Sequence, residues 1–212
     1  MPASESPDTT PRAAAKRQQI LTAARQLFLA QGYERTSTET IRQAAGVSKQ
    51  TLYVYFPGKV ALLGAVVMQE LADLGFERAD PTPPLSLDDL RARLVRLARS
   101  FTGKLMEPDA LALLRLLIGE AVHLPELRSV VRGAFPARLL DGVENLLGAA
   151  HNAGSVHVPD LNLSARMFIG PVISFVMLDG LLSEQTPAPP SEATLARLVD
   201  LFLLTLGKGE EK

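Results

Sequence analysis

The chain has 212 residues, 47% of them apolar, a formal net charge of −1 and no cysteine. That length and apolar content support a sizeable packed core and exclude global disorder. The missing thiols exclude a disulfide framework, thiolate zinc ligands, a cysteine nucleophile and a thiol redox sensor. Charge is unevenly placed. Residues 12–59 carry eight Lys/Arg against two Glu, whereas residues 60–212 carry fourteen against nineteen Asp/Glu. A basic front on an acidic body suggests that the front meets a polyanion.

Residues 1–11 read as a flexible polar tail, without the apolar run of a signal peptide. Ile20, Ala24, Leu27 and Phe28 then recur at helical spacing, and Gly32 ends that helix. In "TSTE", Thr36 is expected to cap the next helix while Glu39 reaches back, as in a capping box. That helix turns Ile41 and Ala45 inward and stops at Gly46, a residue free to go left-handed. Ser48 caps a further short helix with Leu52 and Phe56 on one face. Pro57-Gly58 breaks it, and Lys59 opens a longer helix with Leu63, Val67, Leu71 and Leu74 on a stripe. The segment "ADPTPPLS", Ala79 to Ser86, reads as a linker. Helical patterns follow near residues 87–106, 109–124, 126–153, 160–183 and 193–207. No alternating strand pattern bounded by hairpin turns and no internal repeat stands out, so the expected fold class is all-α. The apolar run from Met167 to Leu178 is interrupted by Gly170-Pro171 and is too short to span a bilayer. The expectation is a soluble, cytoplasmic protein with no membrane partner.

Chemistry concentrates in "AAGVSKQTLYVYFPGK", Ala44 to Lys59. Two short helices joined through Gly46-Val47, the second capped by serine, read as a helix-turn-helix. Stepping about 100° per residue from Leu52 puts Gln50 and Val54 on the outward face. Lys49, Thr51 and Tyr53 flank them. Glutamine pairs with adenine through two hydrogen bonds in the major groove, and valine can touch a thymine methyl. Lys49, Tyr53, Tyr55 and Thr36 suit phosphates, which position a protein without reading sequence. Lys59 sits where a helix N-terminus and an ammonium could hold one phosphate together.

The stretch "TSTETIRQAAGVSKQTLYVYFPGKVALL" resembles the DNA-binding region of the TetR/AcrR transcriptional regulators. The family's pattern falls here on Thr36, Ile41, Ala45-Gly46-Val47-Ser48, Thr51-Leu52-Tyr53, Tyr55-Phe56, Lys59 and Leu62-Leu63. With the first helix the resemblance covers residues 12–75. One position departs: after Ile41 the family usually has a small residue, and this chain has Arg42. A long basic side chain there either crowds the helix contact or swings onto a phosphate, and the phosphate is the expectation. The DNA-binding set is therefore Thr36, Arg42, Ser48, Lys49, Gln50, Thr51, Tyr53, Val54, Tyr55 and Lys59. Further on, "RLLIGEAVHLPEL" and "DLNLSARMFIGPV" resemble, more loosely, the C-terminal region of the AefR-like branch.

The resemblance implies an all-helical homodimer on a double-stranded, palindromic operator, with a small-molecule effector bound in the C-terminal domain. It implies a repressor ahead of an activator. Domains are expected at 12–58 (helix-turn-helix), 59–78 (connecting helix) and 87–207 (effector binding and dimerisation). Phe101, Leu105, Met106, Leu113, Leu117, Phe168 and Phe175 fall on inward stripes, and with Glu120 they are the expected effector-lining set, in keeping with the apolar pockets of the family. The segments Leu161–Leu182 and Leu195–Leu206 are apolar on more than one face. The family's last two helices typically make a four-helix interface, so Met167, Ser174, Leu178, Leu198, Phe202 and Leu206 are expected to lie between protomers.

Glu120 and His123 have the Glu-x-x-His spacing of di-iron bundles, but no second such pair accompanies them. His151 and His157 flank Gly154 and read as solvated loop residues. Neither a phosphate loop nor a Ser/His/Asp order stands out, so no cofactor, metal or catalytic residue is expected. Two rival readings stay open at this level: a helical metal-binding or enzymatic bundle with a basic front, and a DNA-binding protein that answers to no effector.

Overall fold

A computed structural model of the chain describes residues 10–72, 82–128 and 136–208; the side chains at 71, 72, 136–138 and 208 lie outside that description. Its helices are α1 (Pro11–Arg35), α2 (Thr38–Ala44), α3 (Lys49–Tyr55), α4 (Lys59–Ala72), α5 (Leu87–Leu105), α6 (Pro108–His123), α7 (Pro136–Asn152), α8 (Leu161–Phe175) and α9 (Glu192–Leu203). Among the described residues the one departure from an all-helical chain is a minimal antiparallel ladder. It pairs β1 (Val156–His157) with β2 (Gly207–Lys208). Leu74 and most of the expected linker fall outside the described residues. The chain divides into two compact units, Met1–Glu70 with Ala112–Val131, and Leu71–Leu111 with Arg132–Lys212.

In the second unit α8 is the central helix, in contact with α5, α7 and α9. It buries Ala165, Phe168, Ile169 and Val172, while α5 buries Leu90, Leu94, Ala98 and Phe101 at the three-and-four spacing of one helix face. The α5–α9 pairing has its register marked by two ion pairs, Arg91 with Asp200 and Arg99 with Glu192. Numbers rise on one helix as they fall on the other, so the two run antiparallel. Both pairs are open to water and fix orientation more than they stabilise.

The expected interruption at Gly170-Pro171 does not occur. The α8 helix runs through Pro171 and continues as a π-helical turn, Val176–Leu181. The combined Leu161–Leu181 segment is 21 residues, long and apolar enough by composition to cross a membrane. It packs one face on α5, α7 and α9, and 33% of its apolar stretch is buried, so packing within the chain accounts for part of that apolarity. In the π-turn, Gly180 lies against Leu111 and Met106; an added Cβ would come within 3.1 Å of Leu111 Cδ2.

Of the two histidines, His157 is exposed as expected but lies in β1, and His151 is half-buried in the last turn of α7. His151 ends α7, and its Nδ1 accepts a hydrogen bond from the Val158 backbone N–H at 3.2 Å. The His157 ring lies 5.4 Å from it, centroid to centroid, and presses on Gly207. Ser155, between them, donates to the Pro84 carbonyl, so this turn ties the entry of α5 to the end of α7.

The first unit is built on α1. Thr10 caps it and Pro11 occupies its first turn, where the missing N–H costs nothing. Ile20, Leu21, Ala24 and Phe28 are buried with Ile41, Leu52, Leu62 and Leu63 from the following helices. Gly32 adopts φ 77°, and the chain turns there. The cap of α2 is Ser37 rather than Thr36. Ser37 Oγ accepts from the Thr40 N–H, and Thr40 Oγ1 accepts from the Ser37 N–H, each at 3.0 Å. Thr36 is only 1% exposed and its hydroxyl donates to the Gly32 carbonyl at 2.7 Å. The turn at Gly32 leaves that carbonyl without a helical partner, and Thr36 supplies one.

Arg42 also departs from expectation. Its guanidinium forks onto Glu39, Nε at 2.9 Å and a terminal nitrogen at 2.5 Å, and its other terminal nitrogen donates to the Val47 carbonyl at 3.1 Å. Gln43 adds a third hydrogen bond to Glu39. The hydrogen bonds from Arg42 and then Gln43 hold the Glu39 carboxyl down to about 2 from the ordinary 4.5. A lowered folded-state value means that the stability this contact contributes is complete above the ordinary glutamate range and fades as pH falls from about 4.5 through about 2, where the carboxyl itself is protonated. The Glu39 side-chain carboxyl carbon, followed by NMR, should titrate near pH 2 in the intact protein and return to the ordinary range in Arg42→Ala. Ordinary titration in both would show that the fork does not persist in solution.

Candidate nucleic-acid interface

The surface that could meet DNA is the outer side of α3. Ser48 starts this helix: its Oγ accepts from the Thr51 N–H at 3.0 Å and lies 2.7 Å from Thr51 Oγ1. Such a cap is worth about 1 kcal/mol, a large share for a helix of two turns. Leu52 and Phe56 are buried on the inner side, with Ala45 and Val47 from the preceding turn. Arg17 of α1 lies over the Phe56 ring, 5.5 Å from its centroid.

With the inner side fixed, the outer side follows from helical geometry. Lys49 and Gln50 are exposed, and Val54 is 57% exposed. Tyr53 is exposed on the flank, its hydroxyl 3.4 Å from Thr38 Oγ1 at the start of α2. Thr51 and Tyr55 are half-buried. Ser48 and Thr51 spend their hydroxyls on each other, which places Ser48 in the frame of the helix first.

Lys59 is not aimed at open solvent. Its ammonium donates to the Tyr33 carbonyl at 3.0 Å and sits 4.0 Å above the Tyr33 ring centroid. A half-desolvated cation–π contact with a hydrogen bond contributes roughly 1–2 kcal/mol. Lys59 thus clamps the start of α4 onto the end of α1, and Thr36, Arg42 and Lys59 all belong to the scaffold of the reading helix. Lys49 is left as the cation on its outer side.

Tyr33 lies within the electrostatic reach of Glu120 on α6. Burial raises its phenol pKa, and the charges of Glu120, Glu34 and Glu126 raise it further. Glu120 is half-buried on the part of α6 that clusters with α1–α4. The residues expected around an effector therefore divide. Leu113, Leu117 and Glu120 belong to the first unit, and Phe101, Leu105, Met106, Phe168 and Phe175 to the second. All the apolar ones are buried except Phe175, which is half-buried. No group of three or more metal-ligating side chains occurs among the described residues.

Of the residues expected between protomers, Met167, Ser174 and Leu178 are exposed, while Leu198 and Leu206 are half-buried. Phe202 is a correction. It is 6% exposed and packs on Phe168 with ring centroids 5.4 Å apart, inside its own unit. The exposed apolar residues of α9 and its end are Leu201 and Leu204, the latter 80% exposed. Nine residues at 100° place Leu204 about 180° from buried Leu195. That stepping was available in the sequence and separates the two faces. Leu163 joins Met167 and Leu178 on the open side of α8.

The family model for bacterial regulatory proteins of the tetR family matches residues 20–66, and the model for the AefR-like transcriptional repressor C-terminal domain matches residues 92–206. The HTH-type transcriptional regulator RutR of Escherichia coli K12 is 33% identical over 117 residues, 53% of each chain. The chain spans about half the length of the curated relatives it matches. A solved putative TetR-family regulator from Mesorhizobium loti superposes with a TM-score of 0.74 at 27% identity, covering 93% of this chain and 100% of that one. The flavonoid-responsive regulator FrrA gives a TM-score of 0.70 at 26% identity, over 92% and 98% of the two chains. These relatives are regulators of transcription and not enzymes, and the helix-turn-helix they share is α2–α3 here. The chain belongs to the TetR family of DNA-binding transcriptional regulators, with a C-terminal domain of the AefR-like kind.

Proposed function

We propose that the protein is a cytoplasmic, ligand-responsive repressor that binds a palindromic operator as a homodimer and leaves it when a small, mostly apolar effector binds. The observation that carries the DNA reading is the outer side of α3, where Gln50 and Val54 stand exposed beside Lys49. Gln50 reads one base pair, Val54 touches a thymine methyl, and Lys49 with the Tyr53 hydroxyl holds phosphates. Gln50→Ala should cost about 1–3 kcal/mol per half-site and relax the preference at one base pair, measured on duplexes selected from a random pool. Lys49→Ala should weaken all duplexes alike and flatten the salt slope by about 0.9 per protomer. Altered sequence preference in Lys49→Ala, with none in Gln50→Ala, would reverse the two roles.

The dimer rests on the open stripe of α8, Leu163, Met167, Ser174 and Leu178, with Leu201 and Leu204 of the α9 segment. An exposed apolar surface of that size calls for a cover, and a second copy supplies one by two-fold symmetry. Leu201→Glu should give monomers in sedimentation with little change in thermal stability. Phe202→Ala should instead lose about 3–5 kcal/mol of stability, because that ring is core. Wild-type monomers at micromolar concentration would end the proposal.

The effector is neutral or cationic and rich in apolar or aromatic surface. Two facts support this: the side chains expected to line its site are Phe, Leu and Met with one carboxylate, and FrrA, a structural relative, is described as flavonoid-responsive. Hydrophobic cations, neutral aromatics and fatty acids should be titrated against the DNA complex of wild type and Glu120→Gln. Cations should lose their effect in the mutant if Glu120 is their partner. Release by acids alone, unchanged in the mutant, would place Glu120 outside the binding site.

A further inference from the structure

The α2–α3 turn contains a feature that the helix-turn-helix pattern does not require. The Val47 N–H donates to the Arg42 backbone carbonyl at 3.2 Å, and the Gly46 N–H to that of Gln43 at 3.1 Å, the usual closure of a helix by a left-handed glycine. Gly46 has φ 60°. The Arg42 guanidinium then donates to the Val47 carbonyl at 3.1 Å. Residue 42 therefore holds both polar groups of residue 47, accepting with its main chain and donating with its side chain. Residue 48 follows at once, and it is the cap of the reading helix. Glu39 keeps the guanidinium in plane by the two-nitrogen fork, and Gln43 steadies Glu39.

We infer that Arg42 is a positioning residue for DNA recognition: its fork on Glu39 and its hydrogen bond to Val47 set the direction of α3, and it neutralises no phosphate. Three observations bear on this. The guanidinium already has acceptors on three of its five N–H donors, and all three acceptors belong to the turn and the helix before it. The carboxylate beside it cancels its charge towards any phosphate that approaches α2. The Val47 carbonyl, which a side chain of small size at position 42 would leave to water, is held at the one place where a change of backbone direction moves Gln50 and Val54 together. A displacement of about 1 Å there is enough to spoil a two-hydrogen-bond match to a base.

The inference rests on the proposed reading of α3 as the base-contacting helix and concerns a residue outside it. The test uses the full chain on two duplexes of equal length, one selected from a random pool and one of random sequence, over a range of salt. The variants are Arg42→Ala, Arg42→Lys and Glu39→Gln. A positioning role predicts that Arg42→Ala loses about tenfold on the selected duplex, the scale of one charge-assisted hydrogen bond, and is unchanged on the random one. Its salt slope should equal that of the wild type. Glu39→Gln should also lose affinity for the selected duplex, although it leaves the protein more positive. Arg42→Lys, which keeps the charge and loses the fork, should behave as Arg42→Ala. A phosphate contact predicts the reverse on each count: a slope shallower by about 0.9 per protomer in Arg42→Ala, tighter binding of both duplexes by Glu39→Gln, and rescue by Arg42→Lys. Any of those results overturns the inference, as does an Arg42→Ala variant identical to wild type on both duplexes. A wild type without sequence preference overturns the reading of α3 itself, and this inference with it.

Discussion

The structure depends on how two seven-residue helices are held. Helices of that length do not persist alone in water, since nucleation costs more than two turns of hydrogen bonds return. Both α2 and α3 therefore exist because something outside them fixes their ends and inner faces. Ile41, Ala45, Val47, Leu52 and Phe56 form one apolar patch against α1, so each helix is half of the other's core. Ser37 and Ser48 close the two N-termini, and the left-handed Gly46 closes the α2 C-terminus. The same demand explains why so many polar side chains near the reading face are turned inward on the frame. Thr36 serves the Gly32 carbonyl, Lys59 the Tyr33 carbonyl, and Arg42 the Val47 carbonyl.

This economy separates what the sequence made legible from what it hid. The helix-turn-helix, its apolar interior and the outward turn of Gln50 and Val54 follow from spacing alone, because Leu52 and Phe56 allow one inward face. Thr36, Arg42 and Lys59 were read as phosphate ligands because they are polar residues near a basic reading helix. In the structure Thr36 and Lys59 donate to backbone carbonyls at turns, and Arg42 to the Glu39 carboxylate and the Val47 carbonyl; no periodicity reports which carbonyl a turn will leave open. The cap of α2 shows the same limit at one-residue scale. In "RTSTET" both Thr36 and Ser37 carry a hydroxyl that could cap α2; the Thr36 hydroxyl donates to the Gly32 carbonyl, and Ser37 makes the cap.

In the second unit the all-helical pattern was legible and its irregularities were not. A two-residue ladder lies below any alternation signal, and the π-turn after Phe175 has no marker beyond Gly180, where an added Cβ would crowd Leu111 Cδ2 at 3.1 Å. His151 departs from expectation for a related reason. A Gly154 turn implies a loop, but the His151 imidazole supplies the acceptor for the Val158 N–H and the loop becomes a fixed corner.

The division of the chain also constrains how an effector could act on DNA affinity. A ligand shifts the equilibrium between two forms only by the difference in its affinity for them. Two helices change unit along their length, α4 after Glu70 and α6 at Ala112. The DNA-reading unit thus contains Leu113, Leu117 and Glu120 together with Tyr33 and Lys59. The Glu120 charge acts on the Tyr33 phenol, and Tyr33 is the residue to which Lys59 clamps the start of α4. Under the proposed function, an effector that contacted this stretch of α6 would touch residues of the same compact unit as the helix-turn-helix, where a modest differential energy would suffice. A coupling of 1–3 kcal/mol, the usual range, is about the worth of the Lys59 contact on Tyr33. Weakening one such clamp in the liganded form would account for release without any large rearrangement of the apolar core.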